Sequence, residues 1–167
     1  MNLGETAISI IKEIKELNKK KAYSALLVAN GNKGAGNLDV FTNNKEKVLE
    51  KIIELEQETE ISIIYISELI PEEFKNPSNK ENLIYYNKIT LGPRIIKEFR
   101  KKLKEFKVSD ALMGRVYTYP ECCIKKYPHG VKSPKASLTE HLWCSEDCHK
   151  SLGLEKEYEE VINEHLL

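Results

Sequence analysis

The sequence predicts an α/β or α+β fold: a small mixed sheet of about three to five strands packed with helices, followed by a helical, Cys/His-rich C-terminal segment. Three observations predict it. Apolar residues recur at helical spacing in four stretches, and short runs rich in β-branched and aromatic residues lie between them. Seven of the eight Cys and His residues then fall within the 28 positions from Cys122 to His149, the exception being His165. At 167 residues, 41% of them hydrophobic, the chain can bury a core without metal or disulfides. The expected organisation is an α/β body over 1–107 with a Cys/His-rich segment over 108–167 packed on it as one compact domain.

The elements follow in order. Ala7, Ile10, Ile11, Ile14 and Leu17, with Lys and Glu between them, predict an amphipathic helix from about Glu5 to Lys20. The run AYSALLVA over 22–29 reads as a buried strand, joined through the loop NGNKGAGN to a second strand near Leu38 to Phe41 as a hairpin. Asn43 with Glu46 resembles a capping box, and Val48, Leu49, Ile52, Ile53 and Leu55 give the helix that follows an apolar face. ISIIYIS over 61–67 is the clearest strand. The polar stretch from Glu68 to Asn82, with Pro71 and Pro77, reads as a surface loop or lid, and a further strand is expected from Leu83 to Ile89. After Gly92 and Pro93, the residues Ile95, Ile96, Phe99, Leu103 and Phe106 define a helix to about Lys107, and a last helix is expected from about Ser145 to His165.

Charge excludes little in bulk, since Lys plus Arg and Asp plus Glu both total 26. Its distribution says more. Residues 94–135 carry 12 basic and 4 acidic side chains, whereas 136–167 carry 2 and 8. The start MNLGETAIS has no basic stretch leading into an apolar run, and no apolar stretch approaches the roughly 20 residues that span a bilayer. The expectation is a cytoplasmic protein with no membrane contact, in a compartment where clustered thiols mean metal or redox chemistry more often than staples.

The cysteines form two groups: the doublet Cys122 and Cys123, then 17 residues later HLWCSEDCH, with His141, Cys144 and Cys148 at spacings of three and four. Pro120 as a first helical residue places Cys122 in a first turn, and Ser145, Glu146 and Asp147 read as the cap and first turn of the last helix. Free N–H groups and the positive dipole end favour thiolate there, the species that binds metal. Cys144 and Cys148 supply one side of a tetrahedral site, and Cys122 or Cys123 with His141 or the other thiol completes it, as three thiolates and an imidazole or as four thiolates. Consecutive helical side chains diverge by about 100 degrees. Both doublet sulfurs therefore reach one small ion only from a turn; otherwise one Cys is packed or reactive, or the centre is a larger [4Fe-4S] cluster. Zinc is the first choice of cofactor, with the cluster as the alternative. A further alternative is a non-catalytic interaction domain with disulfides or free cysteines. Were there catalysis, an unused thiol of the doublet would be the nucleophile or redox partner and His141 a ligand or base. His129 and His149 read as surface residues and Trp143 as a core plug over the site.

The stretches MGRVYTYPECCI (Met113 to Ile124) and EHLWCSEDCHKS (Glu140 to Ser151) resemble the pattern G-Y-P-x-C-C... H-x-x-C-S-x-x-C of an uncharacterised, largely archaeal family, the domain of unknown function 483. The resemblance covers about the last third of the chain. Thr118 stands where that pattern has Gly, and Trp143 where it has Pro. The family brings no activity with it; the resemblance implies that Cys122, Cys123, His141, Cys144 and Cys148 form a unit.

Two other features carry weaker signals. NGNKGAGN lacks the G-K-[ST] ending of a phosphate loop and leads to Leu38 and Asp39 rather than directly into a helix, so a hairpin loop is expected. RIIKEFRKKLKEFK carries seven basic residues against Glu98 and Glu105. Arg94, Lys97, Arg100, Lys101 and Lys104 point largely away from its apolar face, and Lys125, Lys126, Lys132 and Lys135 extend the positive charge. A solvated face is the plain account; RNA or another polyanion is the partner if these residues form one patch.

Overall fold

A computed structural model of the chain describes residues 3–39, 42–65, 84–88, 93–105, 107–129, 138 and 143–167. Among them are seven helices and a three-stranded antiparallel sheet, an α/β architecture of the expected kind. The helix α1 (Glu5–Leu17) buries Ala7, Ile10, Ile11 and Ile14, the stripe the periodicity predicts. Asn18 interrupts it in extended conformation, and its side chain accepts a hydrogen bond from the Lys21 N–H at 3.2 Å, capping α2 (Lys19–Asn30).

The segment 22–29 is therefore helical, not the expected strand. Every residue from Lys21 to Ala29 is buried, so the run shows no alternation that would separate a buried helix from a buried strand. The ends decide it. Asn18 caps one, and Gly31, in the left-handed region at φ 92°, closes the other while its N–H bonds the Leu27 and Val28 carbonyls. The expected hairpin goes with the strand: β1 (Ala35–Leu38) pairs with a later strand instead.

The helix α3 (Lys45–Glu58) leads into β2 (Ile61–Tyr65), and the expected strand near 83–89 is β3 (Ile84–Lys88). Asn44 rather than Asn43 stands at the α3 cap, without a side-chain cap bond; its amide instead donates to the Leu17 carbonyl at 3.0 Å. The sheet order is β1-β3-β2, with Leu38 and Tyr65 opposite Ile84 in the two ladders. The proposed loop or lid over Glu68 to Asn82 lies outside the described residues.

Strand alternation gives the sheet two covered faces. Leu38, Ile61, Ile84 and Tyr86 join the main core with α1, α2, α3 and the C-terminal helix. On this face the Tyr86 ring lies against Gly36, where a Cβ would collide with it. Ala35, Ile64 and Tyr85 face the other way, onto Phe99, Leu112 and Val116 of α4 (Pro93–Lys104) and α5 (Asp110–Val116). Phe99 is fully buried against Tyr85 in an edge-to-face pair at 5.2 Å, and such a side chain contributes roughly 1.5–3 kcal/mol by burial. This second layer carries the cysteines. Beyond α5 come α6 (Glu121–Lys126) with a short 3-10 turn, Tyr127–His129, and finally α7 (His149–Leu166).

Candidate metal centre

The chain reaches the cysteine doublet through a tightly built corner. At the end of α5 the Tyr119 N–H bonds the Gly114 carbonyl at 2.9 Å and the Thr118 N–H the Arg115 carbonyl at 3.0 Å, the pairing of a Schellman motif. Thr118 occupies its left-handed position, φ 61°, which glycine fills at least cost. The hydroxyl offsets part of that cost by accepting the Gly34 N–H at 3.2 Å, which ties the corner to the start of β1. Gly34 leaves just enough room: a Cβ there would meet the Val116 carbonyl oxygen and the Thr118 methyl. Within α5, Gly114 lets the helix approach Ile124 of α6 closely.

Pro120 caps α6, so Cys122 and Cys123 both lie in its first turn. Cys148 caps α7, and Cys144 sits in the turn just before it. The helix starts four residues later than expected; Ser145, Glu146 and Asp147 form that turn, with the Cys148 N–H directed at the Ser145 carbonyl at 3.4 Å. All four cysteines are free thiols, and their sulfurs lie within 4.8 Å of one another. Cys122 Sγ and Cys123 Sγ stand 3.7 and 3.8 Å from Cys148 Sγ. The 100-degree divergence of consecutive helical side chains does not separate them, because Cys148 arrives between the two.

Hydrogen bonds surround the sulfurs. The buried Ser151 hydroxyl lies 3.1 Å from Cys123 Sγ and donates to Cys148 Sγ at 3.4 Å, and the Cys144 N–H donates to Cys123 Sγ at 3.4 Å. Trp143 packs with Cys123 and Cys148 in one buried cluster, the plug its position suggested. Nothing in the sequence marks Ser151 beyond its place three residues after Cys148.

The sulfurs of Cys122, Cys123 and Cys148 differ electrostatically. Burial pushes the Cys123 thiol up to about 12 and also raises that of Cys122, so desolvation outweighs the helix N-terminus at the doublet, and a thiolate pair there needs the positive charge of a metal ion. Burial opposes ionisation of Cys148 too. Hydrogen bonds from the Ser151 hydroxyl and backbone, with the Cys144 and Cys122 thiols, outweigh it and hold Cys148 at about 6.

Of the other candidates, His141 lies outside the described residues, while His129 and His149 are exposed and outside the cluster. Arg94, Lys97, Arg100, Lys101 and Lys104 all have exposed side chains on α4. Lys101 is 3.9 Å from the Glu105 carboxylate, while Lys102, at 3.1 Å, is its closer partner. The glycine-rich loop spends its N–H groups internally, Gly31, Asn32 and Lys33 all bonding the Leu27 carbonyl, so it forms no phosphate cradle.

Fold and site thus define a helix-covered antiparallel sheet bearing a four-cysteine cluster compatible with a metal ion. No family model, curated protein or solved structure matches the chain. No helix among the described residues is long and apolar enough to cross a membrane.

Proposed function

We propose that this is a metal-binding protein in which Cys122, Cys123, Cys144 and Cys148 hold a single zinc ion as four thiolates. One observation carries the reading. Four sulfurs bound at about 2.3 Å to one tetrahedral ion stand about 3.8 Å apart, and Cys148 Sγ lies 3.7 and 3.8 Å from the doublet sulfurs. A [4Fe-4S] cluster binds each thiolate to a different iron, which spreads the sulfurs further, so the compact set favours one ion over the cluster. Soft thiolate donors in this geometry suit zinc, and also iron. Four protein ligands leave no open position for substrate, which favours a structural centre that fastens α6 to α7 over a catalytic one. The reading also makes a unit of the four cysteines that the resemblance groups with His141.

Element analysis and visible absorption of protein purified without air test this. One zinc per chain and no colour is the expected result; a brown, iron-containing sample supports the cluster, and metal-free protein of full stability removes both. Cys122→Ser and Cys123→Ser, made separately, should lose metal equally, whereas loss in only one would leave the other sulfur for chemistry.

A second proposal concerns α4, whose exposed basic side chains suit RNA or another polyanion in a cytoplasmic setting. Among the described residues, Arg94, Lys97, Arg100 and Lys104 of this face have no carboxylate within ion-pair distance. Unpaired charges of this kind release counterions on binding phosphates, so affinity should fall steeply with salt. The triple reversal of Lys97, Arg100 and Lys104 to Glu should abolish salt-dependent RNA binding; unchanged binding rejects the proposal.

A further inference from the structure

Beside the cysteines lies a cavity of about 270 Å³ between α5 and α6. Met113 and Ile124 give it an apolar lining, Tyr119 and Tyr127 supply aromatic rings, Asp110 contributes a carboxylate, and Cys123 belongs to both the cavity and the sulfur cluster. We propose that this cavity binds a small organic cation, an ammonium or guanidinium group carried on a short apolar or aromatic body.

Its chemistry selects that class. Among the described residues Asp110 supplies the only carboxylate of the lining, and no Lys or Arg lines the cavity. Asp110 itself has no ion-pair partner among them. Tyrosine rings present a negative face to a cation, and a desolvated contact of this kind is stronger than an exposed one. The protein already makes one such contact on this wall, with Lys33 Nζ 5.6 Å from the centroid of Tyr117. Tyr119 stacks on Tyr117 at 5.4 Å, and the exposed Tyr127 presents a further ring to a ligand. Four thiolates around a divalent ion add two net negative charges next to the cavity; this contribution, unlike that of Asp110 and the tyrosines, rests on the zinc reading. The Asp110 carboxylate and the ring faces favour a cation over an anion, so the cavity and the basic face of α4 take different ligands.

The volume sets the size. At about 30 Å³ for each water-sized group, the space accommodates a ligand of roughly nine such groups. Phenethylammonium is a suitable probe, with phenethyl alcohol as its neutral analogue of the same shape and phenylacetate as the anionic one. Binding is read by calorimetry and by the Met113 methyl resonance, which has only Met1 for company in this sequence. The ammonium should displace the Met113 signal and bind about tenfold more tightly than the alcohol, with phenylacetate weakest. Asp110→Asn, a change on an exposed residue, should bring the ammonium down to the alcohol's affinity and leave the alcohol unchanged. Equal binding of the three probes, no displacement by any of them, or an undiminished ammonium preference in Asp110→Asn overturns the proposal. Metal content measured on the same samples separates the two readings: a metal-free protein that keeps the Asp110-dependent preference loses the zinc, and a zinc-loaded protein without the preference loses the cavity.

Discussion

Ser151 is buried completely, yet its hydroxyl reaches both Cys123 and Cys148, so it can orient one thiol and share a proton with the other. Removing such a partner of a metal ligand typically costs about 10- to 100-fold in affinity. Ser151→Ala should show that loss against a chromophoric chelator while the sheet and the main core keep their circular dichroism. An unaltered affinity would mean that the hydroxyl only fills space. At this scale the sequence was legible where chemistry repeats in spacing: the doublet, Cys144 and Cys148 are visible as one group because thiols are rare in the chain. Ser151 is not, because one serine among polar residues carries no periodicity. Thr118 shows a different limit. Its left-handed backbone follows from two backbone hydrogen bonds and a contact with Gly34, 84 residues away, which no local pattern encodes.

At the scale of elements, α2 is the instructive case. Its burial on all sides erases the amphipathic signal that made α1 and α4 readable, and AYSALLVA then suits either element. The helix is declared at its ends, by Asn18 and Gly31, rather than in its middle. Asn18→Ala should therefore cost about 1 kcal/mol in urea unfolding; a loss below a few tenths would show that packing alone sets where α2 begins. The last helix starts late for a related reason. Ser145, Glu146 and Asp147 have the composition of a first turn, but the polypeptide uses them to bring Cys144 round to Cys148 before the helix proper begins. The elements whose apolar faces meet a single layer were legible to within a few residues; those shaped by the cluster or by burial on every side were not.

At the scale of the whole molecule, both faces of a three-stranded sheet are covered, and tyrosines are buried in both layers: Tyr85 beyond one face, Tyr158 in the main core. Burial raises both phenols, Tyr85 to about 12. Since an unfolded tyrosine ionises near about 10, this contribution to stability is complete below that pH and is lost as pH rises toward and through about 12. Urea midpoints should fall over that alkaline window, and less steeply in Tyr85→Phe; parallel curves would assign the decline to other groups. The C-terminal helix links the two halves of the molecule. Cys148 caps α7 at one end, while Tyr158, Ile162 and Leu166 insert into the main core and the Leu166 carbonyl accepts the Lys15 ammonium at 2.9 Å. From Cys148 to Ile162 is about 21 Å along the helix axis. One rod thus carries a thiol at one end and a core at the other, and thermodynamic reciprocity makes each end answer to the other. Zinc should raise the melting temperature of the distant core, and Ile162→Ala, which touches no sulfur, should weaken zinc binding by the same factor that zinc loses in stabilising that variant; equal zinc affinity in the two proteins would mean the ends do not communicate.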